Sequence, residues 1–144
     1  MRKNDARRGA GWAVAVMVAL AVGLPGCGGD NSSDNDPEVF TDTRTVAVLD
    51  ASFVAFTAQR NGSVDANVNW NNASNDIDIY VTAGNCATLD SLLQGLCNVI
   101  AFSESLSAKP EVLTFAASNG TNYRVWALNL GPGTETVTIR LTAR

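Results

Sequence analysis

"SNDIDIYV", residues Ser74 to Val81, decides how this chain is read. Asp76, Asp78 and Tyr80 alternate with Ile77, Ile79 and Val81, a period of two that belongs to a strand with one buried face and not to a helix. The isoleucines and Val81 therefore point inward, and the two aspartates point outward. Upstream, "SVDANVNW" follows the same rule, with Val64, Ala66, Val68 and Trp70 on one face and Asp65, Asn67 and Asn69 on the other. Downstream, "TETVTIRLT" sets Val137, Ile139 and Leu141 against Thr136, Thr138, Arg140 and Thr142. "NYRVWALNL" is apolar on both faces, which predicts a central strand covered on both sides, with Trp126 in a packing role rather than as a sugar platform.

Adding Val46 to Leu49 and Val99 to Ser103 brings the count to seven or eight short strands, which predicts an all-β, two-sheet antiparallel sandwich of jelly-roll or Greek-key type. Asn61-Gly62 and Asn119-Gly120 can each supply the positive φ angles of a type I′ turn. They predict hairpins of Phe53 to Arg60 with Ser63 to Asn71, and of Val112 to Ser118 with Thr121 to Asn129. Across "NNASN", pairing of Trp70 near Ile77 would set Asn71, Asn69 and Asn67 opposite Asp76, Asp78 and Tyr80; the alternative is a turn that carries the chain from one sheet to the other. The leucines at 89, 92, 93 and 96 have helical spacing and predict a turn or two of helix, weakened by Gly95.

The address lies at the other end of the chain. Arg2, Lys3, Arg7 and Arg8 precede an apolar run from Trp12 to Leu24 of signal-peptide length, and the run ends in "LPGC". Leu24, Gly26 and Cys27 resemble the bacterial lipobox, which implies a signal peptide of residues 1–26 and lipid attachment to Cys27; an ordinary secretory signal is the alternative. Either reading predicts an exported protein. A lipid on Cys27 makes the membrane a partner without a transmembrane helix. Gly28 stands where an Asp would favour inner-membrane retention, so the expected address is the bacterial envelope, at the outer membrane.

Removal of residues 1–26 takes four of ten basic and one of fourteen acidic residues, leaving six against thirteen, a formal charge of −7. That balance excludes nucleic acid and anionic lipid as partners of the protein part. The remaining 118 residues suffice for one domain. "GGDNSSDNDPE" has no apolar side chain to offset its ordering cost, so residues 27–44 read as a lipidated Cys and acidic tether, and 45–144 as the sandwich. With Cys27 lipidated, Cys86 and Cys97 form an even pair in an exported chain, which predicts a disulfide closing a short insertion.

Three blocks together resemble the bacterial pre-peptidase C-terminal (PPC-like) β-sandwich domains: Trp70 followed by "DIDIYV", "SESLSAKPEVLTF" (103–115) and "GTNYRVWALN" (120–129). The resemblance implies a non-catalytic sandwich that serves secretion, folding or adhesion, in some members with Ca²⁺. This chain has no attached protease, and its Cys86 to Cys97 insertion is not general in the family.

The chemical inventory agrees with a non-enzyme. There is no His, Lys109 is the only lysine after the signal segment, and no Ser sits in a G-x-S-x-G elbow. Asp76 and Asp78 project from the same side of one strand and do not flank a substrate as a glycosidase pair must. They are instead candidate ligands of a weak Ca²⁺ site with nearby Asn oxygens, against a solvated or turn-capping role. The functional expectation is a binding or adhesion module with a protein or glycan partner. A structural or protein-interaction lipoprotein comes second, and a glycan-active enzyme last.

Overall fold

Period-two alternation becomes two stacked sheets because each half-buried strand must cover its apolar face with another. The computed structural model describes residues 38–106 and 108–144. The expected signal segment, Cys27 and the part of the expected tether up to residue 37 lie outside the described residues. The strands are β1 (Glu38–Val46), β2 (Ala51–Thr57), β3 (Gly62–Trp70), β4 (Ile77–Ala83), β5 (Asn98–Ser103), β6 (Glu111–Ala117), β7 (Asn122–Asn129) and β8 (Glu135–Ala143), with one short helix, α1 (Leu89–Leu93). One antiparallel sheet has the order β1-β8-β3-β6, the other β2-β7-β4-β5. The expected all-β sandwich is the fold of this chain.

The inward sets read from the sequence are the core. Val64, Ala66, Val68, Ile77, Ile79, Val81, Val137 and Ile139 are all within 1% of complete burial and belong to one cluster between the sheets. β7 is central and covered on both sides: Tyr123, Val125 and Ala127 face that cluster, while Trp126 faces a second one with Leu92 and Cys86. Trp126 lies 4.5 Å from the Phe53 ring and donates its Nε1–H to Thr82 Oγ1, so it is a packing residue.

Both expected hairpins are corrected. β2 pairs with β7, and β3 pairs with β6 and β8, so each Asn-Gly carries the chain between sheets. A type I′ turn needs positive φ at both central residues. Here only Gly120 has it, at 75°; Asn61, Gly62 and Asn119 do not. The two crossings lie side by side and satisfy each other: Gly120 N donates to Ala58 O, Ala58 N to Thr121 O, and Asn119 N to Asn61 Oδ1. Gly62 is glycine for a different reason, since a Cβ there would stand 2.0 Å from the Arg144 carbonyl oxygen.

The expected tether of residues 27–44 overlaps a strand. Residues from Glu38 onward are not free chain but β1, paired with β8 from Glu38↔Ala143 to Val46↔Glu135. Most β1 side chains are exposed, so backbone pairing along an edge orders the strand where side-chain burial does not. The strand expected from Val46 to Leu49 is replaced by a turn that holds Leu49 at φ 57°.

Candidate functional site

The "NNASN" run crosses from β3 in one sheet to β4 in the other, so the alternative reading of this turn holds and the Trp70–Ile77 pairing does not. Asn67 and Asn69 lie along β6 and β8 rather than beside the aspartates. The crossing is fixed by a buried polar plug. Glu135, 4% exposed, accepts from Asn71 N and Asn72 N, each at 3.1 Å, and from Asn75 Nδ2. Asn75 exchanges bonds with Gly133 in both directions, and its carbonyl accepts the Trp70 indole N–H at 3.0 Å. Fully buried Asn129 donates to Val46 O and Gly133 O and accepts from Gly131 N. These side chains stand in for the ladder that the crossing interrupts. Sequence reasoning passed over Asn75, Asn129 and Glu135, whose only outward sign is an amide- and glycine-rich pair of turns.

Asp76 and Asp78 open β4 at the same end of the sandwich. They do point away from the main core, but Asp78 is only 5% exposed, so the wet face expected there is covered. Extending the β4–β5 register beyond Ile79↔Ser103 sets Glu104 opposite Asp78. Glu111 enters from the start of β6, 1% exposed, and its Oε1 accepts from Ser103 Oγ and Ser105 N, both at 2.7 Å. Tyr80 donates its hydroxyl to Glu104 Oε1 and stacks on Phe102 at 6.2 Å.

Four carboxylates thus share one corner. Burial, followed by the charges of Asp76, Glu111 and Glu104, pushes the Asp78 carboxyl up to about 6. Burial also raises Glu111, opposed by its bonds from Ser103 and Ser105 and assisted by the charges of Asp76 and Glu104. Burial and the bond to Glu104 raise the Tyr80 phenol. Asp76 Oδ1 and Glu111 Oε2 are buried without a hydrogen-bond donor. Among the described residues, no three Asp, Glu, Cys or His side chains converge closely enough to hold a metal ion.

Adjacent to this corner is an apolar strip. Cys86 and Cys97 are bonded, with Cα atoms 5.4 Å apart, so the expected insertion is stapled. Thr88 caps α1 by accepting from Ser91 N, and Gly95, at φ 69°, turns the chain after it. Leu92 points into the Trp126 cluster, and the insertion roofs the outer face of the second sheet. Leu93, Leu96 and Phe102 are 64%, 74% and 62% exposed, and Val99 and Ile100 are exposed beside them. β5 is an edge strand without a charged residue, and a register shift against β4 between Val81 and Thr82 interrupts its pairing. At the far end, a cavity of about 70 Å³ opens among Phe40, Phe56, Val64, Ala117 and Leu141. It is roughly half the size of a cavity that takes benzene.

No family model matches the chain, and neither does any curated protein. Solved structures do. A Yersinia pseudotuberculosis-derived mitogen superposes with a TM-score of 0.58 at 13% identity, covering 75% of this chain and 87% of the mitogen. An Aeromonas hydrophila periplasmic lysozyme inhibitor of g-type lysozyme superposes with a TM-score of 0.53 at 10% identity, covering 75% of this chain and 88% of the inhibitor. At such identities the likeness is one of fold: this chain is a two-sheet β-sandwich, a fold that these two bacterial proteins share.

Proposed function

We propose that this chain is a non-enzymatic binding module of the bacterial cell envelope, held at the outer membrane by lipid on Cys27, and that it binds a protein partner through the strip from Leu93 to Phe102. The observation that carries this reading is the concentration of five solvent-exposed apolar side chains within ten residues: Leu93 and Leu96 inside the loop closed by Cys86 and Cys97, and Val99, Ile100 and Phe102 on the edge strand β5 that follows it. Exposed apolar groups gathered on a rigid support mark an interaction surface, and an aromatic among them suits a central anchor. A glycan partner would call for polar groups between the apolar ones, and the strip has few. The three PPC-like blocks fall on β3–β4, the β5–β6 connection and β7, and the resemblance they carry is to sandwich domains that serve adhesion. The two structural neighbours, one a mitogen and one an inhibitor, support a binding role over a catalytic one. Among the described residues no helix is long and apolar enough to cross a membrane; the proposed anchor is the lipid on Cys27, from the "LPGC" sequence.

The double variant Leu96→Ser, Phe102→Ser tests the surface. Both side chains are largely exposed, so the expected change in unfolding free energy is small, about 1 kcal/mol or less. The protein partner that co-purifies with the wild-type chain from native membranes is expected to be lost. A variant that keeps the same partner in the same yield would remove the strip from consideration.

A further inference from the structure

An edge strand directs every second N–H and C=O away from its sheet, and charged side chains are the usual guard against the arrival of a further strand. β1 has that guard in Glu38, Asp42 and Arg44. β2 has none, but its Phe53 lies under the Arg124 guanidinium at 4.6 Å. On the other side of the sandwich the edges are bare: β5 carries no charge, and β6 carries only Glu111, which is buried.

Glu111 ties these two edges at one end, through Ser103 and Ser105. Beyond the tie a groove of about 400 Å³ opens between the sheets, with Ile100 and Ala101 on one wall, Phe115 and Ala116 on the other, and buried Tyr123 between them. Ala101 pairs with the core residue Val81, so its face of β5 is the groove face. Phe102 and Val99 pair with Tyr80 and Thr82 and take the outward face. A strand laid beside β5 would therefore meet apolar surface on both of its faces.

Resting on the strip as binding surface, we propose that the partner is taken by strand addition: an extended segment of another protein pairs with the β5 backbone, sends alternate apolar side chains into the groove, sets the intervening ones beside Val99 and Phe102, and carries a Lys or Arg at one end. Backbone pairing supplies affinity in this mode, and the sites for alternate side chains supply specificity. The cation follows from charge. Glu104 comes directly after β5, is exposed, and has no ion-pair partner among the described residues, its known contact being the Tyr80 hydroxyl. A basic residue at the end of the added strand would lie beside it, and a second acidic one would be repelled.

A display library of random peptides of about eight residues, panned on the full chain in detergent, tests this without the native partner. Enriched sequences are expected to hold apolar residues at alternate positions with Lys or Arg at one end. The tightest of them is then made with N-methyl groups on alternate amides. Methylation of the set facing β5 should weaken binding by about tenfold or more, and methylation of the set facing solvent by less than about threefold. Ile100→Lys restores the guard that β5 lacks and should also cost about tenfold, with an unchanged urea midpoint because Ile100 is 40% exposed. Glu104→Gln should abolish the preference for the cationic end. The methylated pair carries the test should Ile100→Lys not fold. No enrichment, or equal binding of the two methylated peptides, would overturn strand addition. Dimers of the full chain alone that Ile100→Lys dissolves would overturn it as well, because a second copy would then hold the edge. The strip itself fails by a different result, retention of the co-purified partner by the variant Leu96→Ser, Phe102→Ser.

Discussion

Replacing Glu135 with Ala is expected to lower the unfolding free energy by about 3 to 5 kcal/mol, from the donors it strands and the burial it vacates. Glu135 is 4% exposed and takes the Asn71 and Asn72 amides together with the Asn75 side chain, so its removal leaves those two amides without this acceptor and the Asn75 side-chain amide with the Gly133 carbonyl as its remaining one. Each buried unsatisfied donor costs roughly 1–3 kcal/mol, partly recovered where water reaches Asn71 and Asn72. A domain of this size should then melt more than about 10 °C lower. Glu135→Gln keeps one acceptor oxygen and should lose about half as much. Urea titration of the three proteins provides the comparison, and equal midpoints for wild type and Glu135→Ala would show that the plug does not hold the crossing.

The second large effect concerns Trp126. Trp126→Ala is expected to cost about 3–5 kcal/mol, the range for emptying a large buried aromatic site. Its indole lies between the outer face of the second sheet and the disulfide-stapled insertion, against Phe53 and Leu92. The loss should fall on the roof first: amides of Leu92 to Leu96 lose exchange protection before those of β3 and β8, because the cluster between the sheets does not contain Trp126. Uniform loss across both sheets would mean that the roof and the sandwich unfold as one unit. Binding to glycans should not change, since a side chain 2% exposed offers no stacking face.

Much of this architecture was written in alternation. Ile77, Ile79 and Val81, and Val137, Ile139 and Leu141, face the core because a one-residue slip would turn each set to solvent. Trp126 and Val125 on successive positions announced a strand covered twice. Strand partners were harder to read: Asn-Gly is a strong local signal for a hairpin, but the turn conformation is not met at Asn61, and non-local pairing of β2 with β7 and of β3 with β8 prevails. β1 escaped notice because its pairing with β8 is carried by backbone groups, on which side-chain pattern is silent. At the candidate site, Asp76 and Asp78 were visible as a pair and Cys86 with Cys97 as a disulfide. Glu104 and Glu111 were not connected to them, because only the folding of β5 and β6 beside β4 brings four acids separated by up to 35 positions to one corner. Covering of Asp78 is likewise a tertiary effect that a period-two reading assigns to water.

The central claim is that the stapled strip, and not the opposite face of the sandwich, meets a partner. Photo-crosslinking residues placed singly at Leu96, Phe102 and Thr138 in the full chain, in its native membrane, test it most directly. Leu96 and Phe102 lie on the strip, whereas Thr138 lies on the outward side of β8 in the other sheet. The account predicts a discrete protein adduct, the same one, from Leu96 and Phe102, and none from Thr138. An adduct from Thr138 alone, or no adduct from either strip position, would contradict it.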